Sequence, residues 1–505
     1  MVPPERTTVG GSLEIPRMLN GLWQLAGGHH KDVSIADASA AMDTLISNGL
    51  DAFDMADHYG DAELVVGRHN AQNQNQGQLT AFTKWCPAEN GIKSFENAEA
   101  AIELALRRLN QSTICVLQYH IWDYTDDTYL HNLCHLTSLQ SQGKIAHLGL
   151  TNTDAAHLEM LLDTGFNIAT NQISCSVIDL RPVRGRMSQL CASRGVGLLC
   201  YGTLLGGFIS EKWLGKPEPA DIDALNWSLR KYLRFIWAAG GWATFQAVLM
   251  ALETVSNKHG VPIPAVATRW VLDLPAVKAV IVGTGLSNNS EKHIAENLLA
   301  FSVALDDEDR AVIAKAQDAL RDIPGDCGDE YRRPPYLTAA GDLSHHVRER
   351  DRASSVREAI ALGQRVEYLS GSKWEPICGY ARAVRIGSHI HISGTTANPP
   401  VPSLPRVGGT SARSQAVWAL DIIEAALKAL GSSMKDVVRT RIILSDRKDA
   451  EAVSEAHGWR MHCADVLPAN TLIEATLYED EFLVEIEAWA EVDSGARGTV
   501  RVYKS

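Results

Sequence analysis

The sequence predicts an α/β protein: a closed parallel (β/α)8 barrel of the TIM-barrel class, followed by a smaller α+β domain. Three observations carry this. The 505 residues exceed what one ordinary core holds. Up to about residue 320, eight short apolar runs alternate with helical segments, an order that suits a closed parallel barrel better than an open sheet. From near Val356 the order becomes ββαβαββ. The expected division is a barrel over 1–322, a linker over 323–355 and a second domain over 356–505.

The eight runs are residues 18–26, 50–56, 79–85, 114–122, 145–152, 168–176, 196–204 and 278–283. Strands buried on both faces read as near-continuous apolar stretches, as these do. The intervening helices are legible too. After Ser94, a natural N-cap, Ile102, Ala105, Leu106 and Leu109 fall at i, i+3, i+4 and i+7 and form one core-facing stripe. Residues 322–346 are rich in Gly, Pro and charge without sustained periodicity and read as linker.

Composition narrows the function classes. A net charge of −13 argues against nucleic-acid and anionic-membrane binding. No run of about eighteen apolar residues is present to span a bilayer, and the N-terminus shows no secretory h-region. Nine scattered cysteines without a CxxC pair read as reduced thiols of a cytoplasmic protein, with no metal site expected.

In a barrel of this class the chemistry sits at the C-terminal ends of the strands. Asp54 and Tyr59 follow the second run, Lys84 lies near the end of the third, and His120 near the end of the fourth. Singly, each has a packing explanation; together they are the residue types that move protons, at consecutive strand ends. The stretch FDMADHYGDAE (53–63), with Lys84 and His120, resembles the signature and catalytic tetrad of the aldo-keto reductases. That resemblance implies hydride transfer to a carbonyl, with Tyr59 as general acid. Asp54 would pair with Lys84, and the Lys84 ammonium would lower the Tyr59 pKa. His120 would hydrogen-bond the substrate oxygen or relay a proton.

The resemblance extends downstream. It implies that Thr151, Asn152 and Gln172 hold the nicotinamide carboxamide, that Tyr201 stacks on its ring, and that Trp23 walls the substrate pocket. It also places Gly21, Gly206, Gly283, Ser287, Glu296 and Asn297 along the cofactor. NADP(H) is the family default. Positions where many NADP-using members carry Lys or Arg hold Gly285, Ser287, Asn288 and His293 here, with Lys292 the one clear cation, so NAD(H) is the alternative. Residues 208–242 form a long insertion carrying Trp213, Trp227, Trp237 and Trp242. They read either as a helical excursion packed on the barrel or as a lid over an apolar or aromatic substrate.

In the second domain, GYARAVRIG (379–387), the ISGT segment at 392–395, the segment 433–446 and LVEIEAWA (483–490) resemble the reactive-intermediate deaminases (RidA/YjgF-like, chorismate-mutase-like fold). Active members hydrolyse imines and enamines in a cleft between subunits of a trimer, so the resemblance implies a homotrimer. It also implies a cleft formed by Tyr380, Ser393, Gly394, Glu485 and Asn470. The last departs from the family, which places an arginine there to hold the substrate carboxylate; Asn lacks the guanidinium fork. A binding or oligomerising role is therefore expected in preference to deaminase chemistry. The leading expectation is an NAD(P)H-dependent reductase of a small carbonyl compound. The alternatives are a coupled imine-processing reductase, a non-redox lyase or isomerase, and a nucleotide sensor.

Overall fold

The computed structural model describes residues 2–26, 34–72, 79–89, 91–284, 286, 290–332 and 354–502. The chain begins with a hairpin, β1 (Arg6–Val9) and β2 (Leu13–Pro16), which the sequence reading did not anticipate. Its turn is Gly10-Gly11, both at positive φ (57° and 78°), where a side chain would be strained. The hairpin contributes Val9 and Ile15 to a cluster inside the barrel with Leu19, Ala52, Phe82, Val116, Leu199 and Ala279. It thus plugs the barrel floor.

The barrel strands are β3 (Met18–Gly21), β4 (Ala52–Asp54), β5 (Thr80–Trp85), β6 (Ile114–His120), β7 (Ile145–Thr151), β8 (Thr170–Ser174), β9 (Gly197–Tyr201) and β10 (Val277–Gly283). They pair in sequence, and β10 closes the ring by pairing in parallel with β3 and β9. Seven of the eight apolar runs contain one of them whole, and the eighth, 278–283, covers all of β10 but Val277. The helix Phe95–Leu109 starts on Ser94, whose hydroxyl accepts the Asn97 N–H at 3.2 Å, and buries Ala98, Ile102, Ala105, Leu106 and Leu109.

The expected linker starts too early. Residues 329–332 form a helical turn on the barrel with Asp329 and Glu330 buried. The cause is electrostatic: buried Arg181 takes carboxylates on two sides, Asp179 (2.8 Å) and Glu330 (2.6 Å). A buried guanidinium left without partners would be costly, so this charged, Gly-rich stretch is bound rather than free. Residues 333–353 lie outside the described part of the chain.

The second domain is a six-stranded sheet ordered β11-β12-β13-β16-β14-β15. Its strands are β11 (Val366–Tyr368), β12 (Ala383–Ile386), β13 (His389–Thr395), β14 (Val437–Leu444), β15 (Ala469–Glu474) and β16 (Val484–Glu491). Only β14 and β15 run parallel. Along β16 buried and half-buried residues alternate strictly, as expected where one sheet face is covered. The helix Ala412–Ala429 packs on β13 and β16 and also on the barrel helix Ala155–Thr164. The expected ββαβαββ order is present, with β11 added at the start.

Candidate active site

Asp54, the last residue of β4, and Lys84, near the end of β5, meet inside the barrel mouth with side chains 5% and 4% exposed. Lys84 Nζ donates to Asp54 Oδ2 at 2.7 Å and to the Met55 carbonyl at 2.8 Å. The other carboxylate oxygen accepts from the amide nitrogens of Gln118 (2.9 Å) and Gln172 (2.6 Å). This satisfies a buried ion pair with hydrogen bonds on both oxygens, the condition for tolerating it. Gln118 escaped the sequence reading; its one signal is a polar residue in the middle of the otherwise apolar β6 run.

Gln172 lines the cavity with its nitrogen engaged by Asp54 and by Gln118 Oε1 (2.9 Å), so its amide nitrogen braces the carboxylate and its Oε1 is the atom that could face a carboxamide.

Tyr59 follows β4 in a turn, with Lys84 Nζ 5.0 Å from its ring centroid. The expected lowering of its pKa does not occur. Removal from solvent, then the charges of Asp54, Cys86, Tyr331 and Asp57, hold the phenol well above its usual value of 10.0. Lys84 does not offset this because Asp54 neutralises it at 2.7 Å. Tyr59 is therefore a fully protonated donor at neutral pH.

His120, at the end of β6, is held neutral: burial, then the positive charge of Arg332, push it well below 6.5. Its Nδ1 faces the Thr151 carbonyl at 3.3 Å. A carbonyl only accepts, so Nδ1 carries the proton and Nε2 is left as a bare acceptor. Nε2 is buried and has no hydrogen-bond partner among the described residues. In this tautomer Nε2 is an acceptor, the arrangement that suits the proton-relay role expected for His120. The Nε1–H of Trp122 is likewise buried without a partner. It lies 4.0 Å, centroid to centroid, from His120 and supplies a donor that the sequence did not advertise.

These groups line a cavity of about 490 Å³. It runs past Gly21, Trp23, Thr151, Asn152, Gln172 and Tyr201 to Gly206, Gly207, Gly283, His293 and Asn297. Tyr201 donates to Asn152 Oδ1 at 2.7 Å and sits 3.2 Å from the Tyr331 hydroxyl. At Gly283 a Cβ would lie 2.0 Å from Gln24 Nε2, so a side chain there would displace the end of Gln24. Gly206 lies at φ 67° against Ser228.

Glu296 is outside the lining and is engaged by Lys292 and His293 at 3.7 and 3.5 Å; Asn297 and His293 reach the cavity in its place. Ser287 lies outside the described residues. The insertion has two parts. Trp227, Ser228, Lys231 and Tyr232 of the helix Trp227–Ala238 face the cavity. Trp213 and Trp242 instead pack with Phe208 and Phe245 into a separate aromatic cluster.

The extended cavity, the glycine-lined end and the two buried polar atoms without partners fit a nicotinamide dinucleotide and a small carbonyl compound. Thr151, Asn152, Tyr201, Gly206 and Gly283 would hold the former.

The second-domain cleft is partly assembled. Glu485 lies over Gly394, where a Cβ would stand 1.7 Å from its Oε1. Arg382, 5.8 Å from the Tyr380 ring, donates to the Gly394 carbonyl (2.7 Å) and Thr395 Oγ1 (3.1 Å). The Ser393 hydroxyl donates to the Ala381 carbonyl at 2.9 Å. Burial, then Glu487, raise the pKa of Glu485, which Arg382 opposes. Asn470 is not among them: it is exposed on edge strand β15, donating to Thr440 Oγ1 at 2.9 Å.

Comparison with known proteins follows the same division. The sequence model of the Aldo/keto reductase family matches residues 17–318, and that of Endoribonuclease L-PSP matches residues 371–492. Flagellar radial spoke protein 5 of Chlamydomonas reinhardtii is 35% identical over 144 residues, covering 27% of this chain and only 26% of that protein. A glycerol dehydrogenase from Gluconobacter oxydans superposes with a TM-score of 0.52 at 19% identity, covering 64% of this chain and 97% of its own. A YjgF/YER057c/UK114-family protein from Mycobacterium tuberculosis is 37% identical over 26% of this chain and 100% of its own, with a TM-score of 0.23. The first match spans more than half of the chain and coincides with the barrel that holds Asp54, Tyr59, Lys84 and His120: the chain belongs to the aldo/keto reductase family.

Proposed function

We propose that the protein reduces an aldehyde or ketone of a small organic molecule with a nicotinamide dinucleotide, NADP(H) or NAD(H), in the barrel. The observation that carries this is the buried Asp54–Lys84 pair, 2.7 Å apart, beside a protonated Tyr59. When bound, the nicotinamide supplies the hydride to the carbonyl carbon.

The residues do the rest. The Tyr59 hydroxyl gives its proton to the carbonyl oxygen as negative charge develops there, beside the Asp54–Lys84 pair, with Lys84 Nζ 5.0 Å from its ring centroid. Trp122 Nε1–H donates to a substrate oxygen, and His120 Nε2 accepts a hydrogen bond from the hydroxyl group of the alcohol product. Trp23, Trp122, Trp227 and Tyr331 in the lining favour a substrate with an apolar or aromatic body. The C-terminal domain acts in assembly, as a trimer, and not as a deaminase; the exposed apolar residues Leu472 and Ile473 on edge strand β15 support a contact with further copies.

The test is fluorescence titration of the full chain with NADPH and NADH, followed by turnover of a panel of aldehydes and ketones. Cofactor binding with turnover of at least one carbonyl is expected. Failure to bind either nucleotide defeats the reading.

A further inference from the structure

The two domains meet through a buried chain of charges that ends at the cofactor loop. His157, on the helix Ala155–Thr164, is 0% exposed. Its Nδ1 lies 2.8 Å from both carboxylate oxygens of Asp154, and its Nε2 lies 2.9 Å from Asp421 Oδ2 of the C-terminal domain. Asp421 Oδ1 in turn accepts from Arg460 at 2.9 Å, and Arg460 also pairs with Glu424.

A neutral imidazole has one N–H and cannot donate to two carboxylates. The ring is therefore an imidazolium: burial opposes the charge, but Asp154 and Asp421 together raise its pKa. Tyr124 stacks on it with centroids 3.4 Å apart and planes 4° from parallel, and Trp459 meets it edge-on at 5.8 Å. Arg332 lies over the Tyr124 ring at 4.4 Å.

The barrel end of this chain is the loop after β7. Asp154 caps its helix by accepting the His157 N–H at 2.9 Å, and its own N–H donates to the Tyr124 hydroxyl at 3.2 Å. Two residues earlier stands Asn152, at φ 56°, in the left-handed region that asparagine tolerates better than most side chains. Arg332 donates to its carbonyl and to that of Ile121. We infer that the C-terminal domain is a positioning element of the barrel: Asp421, acting through His157 and Asp154, fixes the Thr151–Asn152 loop against the cofactor. The cofactor part of this rests on the reductase reading; the mechanical part does not. Asp421 completes the imidazolium's partners, the imidazolium orients Asp154, and Asp154 sets where the helix begins and how the loop before it runs. Removing one member leaves a buried charge uncompensated, and the loop is the end that borders open space, since Thr151 and Asn152 line the cavity.

The test compares the full-length D421N and H157Q proteins with R413M. The last breaks a different interdomain pair, Arg413–Glu159 at 3.1 Å. Two measurements are made: amide hydrogen exchange over residues 150–158 without nucleotide, and NADPH affinity by fluorescence quenching as a function of pH. D421N and H157Q should speed exchange in that segment and weaken NADPH binding about fivefold or more, the usual scale of site-to-site coupling; R413M should do neither. Wild-type affinity should fall as pH rises through the raised His157 value, a component that H157Q lacks; the carboxylate of buried Asp326, which accepts the Ala155 N–H at 3.3 Å and which burial and Asp154 raise to about 7, titrates in both proteins. Wild-type exchange and affinity in both folded variants overturn the inference. If the wild type binds no nucleotide, the reductase reading fails by itself and the exchange comparison still decides the coupling.

Discussion

The barrel mouth and the C-terminal cleft each gather a carboxylate, a cation and a tyrosine, yet they differ in how their charges are employed. In the barrel, Asp54 and Lys84 are 5% and 4% exposed, and each has further hydrogen-bond partners from the same chain. Tyr59 and the bare Nε2 of His120 are then left for a substrate. In the cleft, the cation Arg382 is spent on the Gly394 carbonyl and Thr395, and Glu485 is only half-buried. The position that should present a guanidinium is Asn470, on an exposed edge. Like residue types therefore stand in different surroundings: among the described residues, His120 Nε2 and Trp122 Nε1 are left unpartnered beside a cavity of about 490 Å³, whereas the unpartnered atom of the cleft cation is Arg382 Nε.

Removing the proton donor should break this contrast most strongly. Tyr59→Phe is expected to lower carbonyl turnover by about 10²–10⁴, the usual worth of a positioned acid, with nucleotide affinity nearly kept, as measured by kcat and fluorescence titration. The sign of the pH dependence follows from the raised phenol: Tyr59 is protonated below its folded pKa and loses its proton only as pH rises through it. Reduction should therefore show no alkaline limb below the ordinary tyrosine value of 10.0, checked by kcat/KM profiles. Lys84→Met comes next. Deleting one partner of a buried pair costs about 3–5 kcal/mol, read as a shift in denaturant midpoint, and the double variant D54N/K84M should recover part of it.

A smaller effect is expected from Trp122→Phe, which keeps the apolar wall and removes the unpartnered N–H. Loss of one hydrogen bond of about 0.5–1.5 kcal/mol corresponds to a several-fold drop in kcat/KM. An unchanged kcat/KM would show that the indole is packing alone.

The barrel strands, and the meeting of Asp54, Tyr59, Lys84 and His120 around one cavity, were legible for one reason: polar residues at the ends of apolar runs stand out against strands buried on both faces. Other features were hidden because their causes are not local. Residues 323–332 have a linker's composition, and only Arg181, far earlier in the chain, makes Glu330 a buried partner. The bracing of Asp54 by the Gln172 nitrogen likewise depends on a neighbour, Gln118, that lies on another strand. The direction of the Tyr59 shift depends on Asp54 cancelling Lys84, a matter of ångströms that residue order does not encode. His157 and Asp421 are 264 positions apart, with no motif at either end. The β1–β2 hairpin was the exception, since Gly10-Gly11 between alternating residues is a readable turn signal.

The smallest expected effect tests the cleft itself. Asn470→Arg restores the guanidinium that carboxylate recognition needs, on a strand whose backbone already pairs in register with β14, Asn470 opposite Thr440. The site is exposed, so the substitution should alter stability by no more than about 0.5 kcal/mol. A guanidinium there offers bidentate contacts to a carboxylate that Asn cannot, so a small 2-oxo or 2-imino acid should gain measurable affinity by calorimetry. Carbonyl turnover in the barrel should meanwhile stay within about twofold of wild type, the scale of a surface change of that size. A large change in barrel turnover would mean that the cleft and the barrel are coupled by more than the His157–Asp421 contact, and the separation of a working site from a supporting one would have to be redrawn.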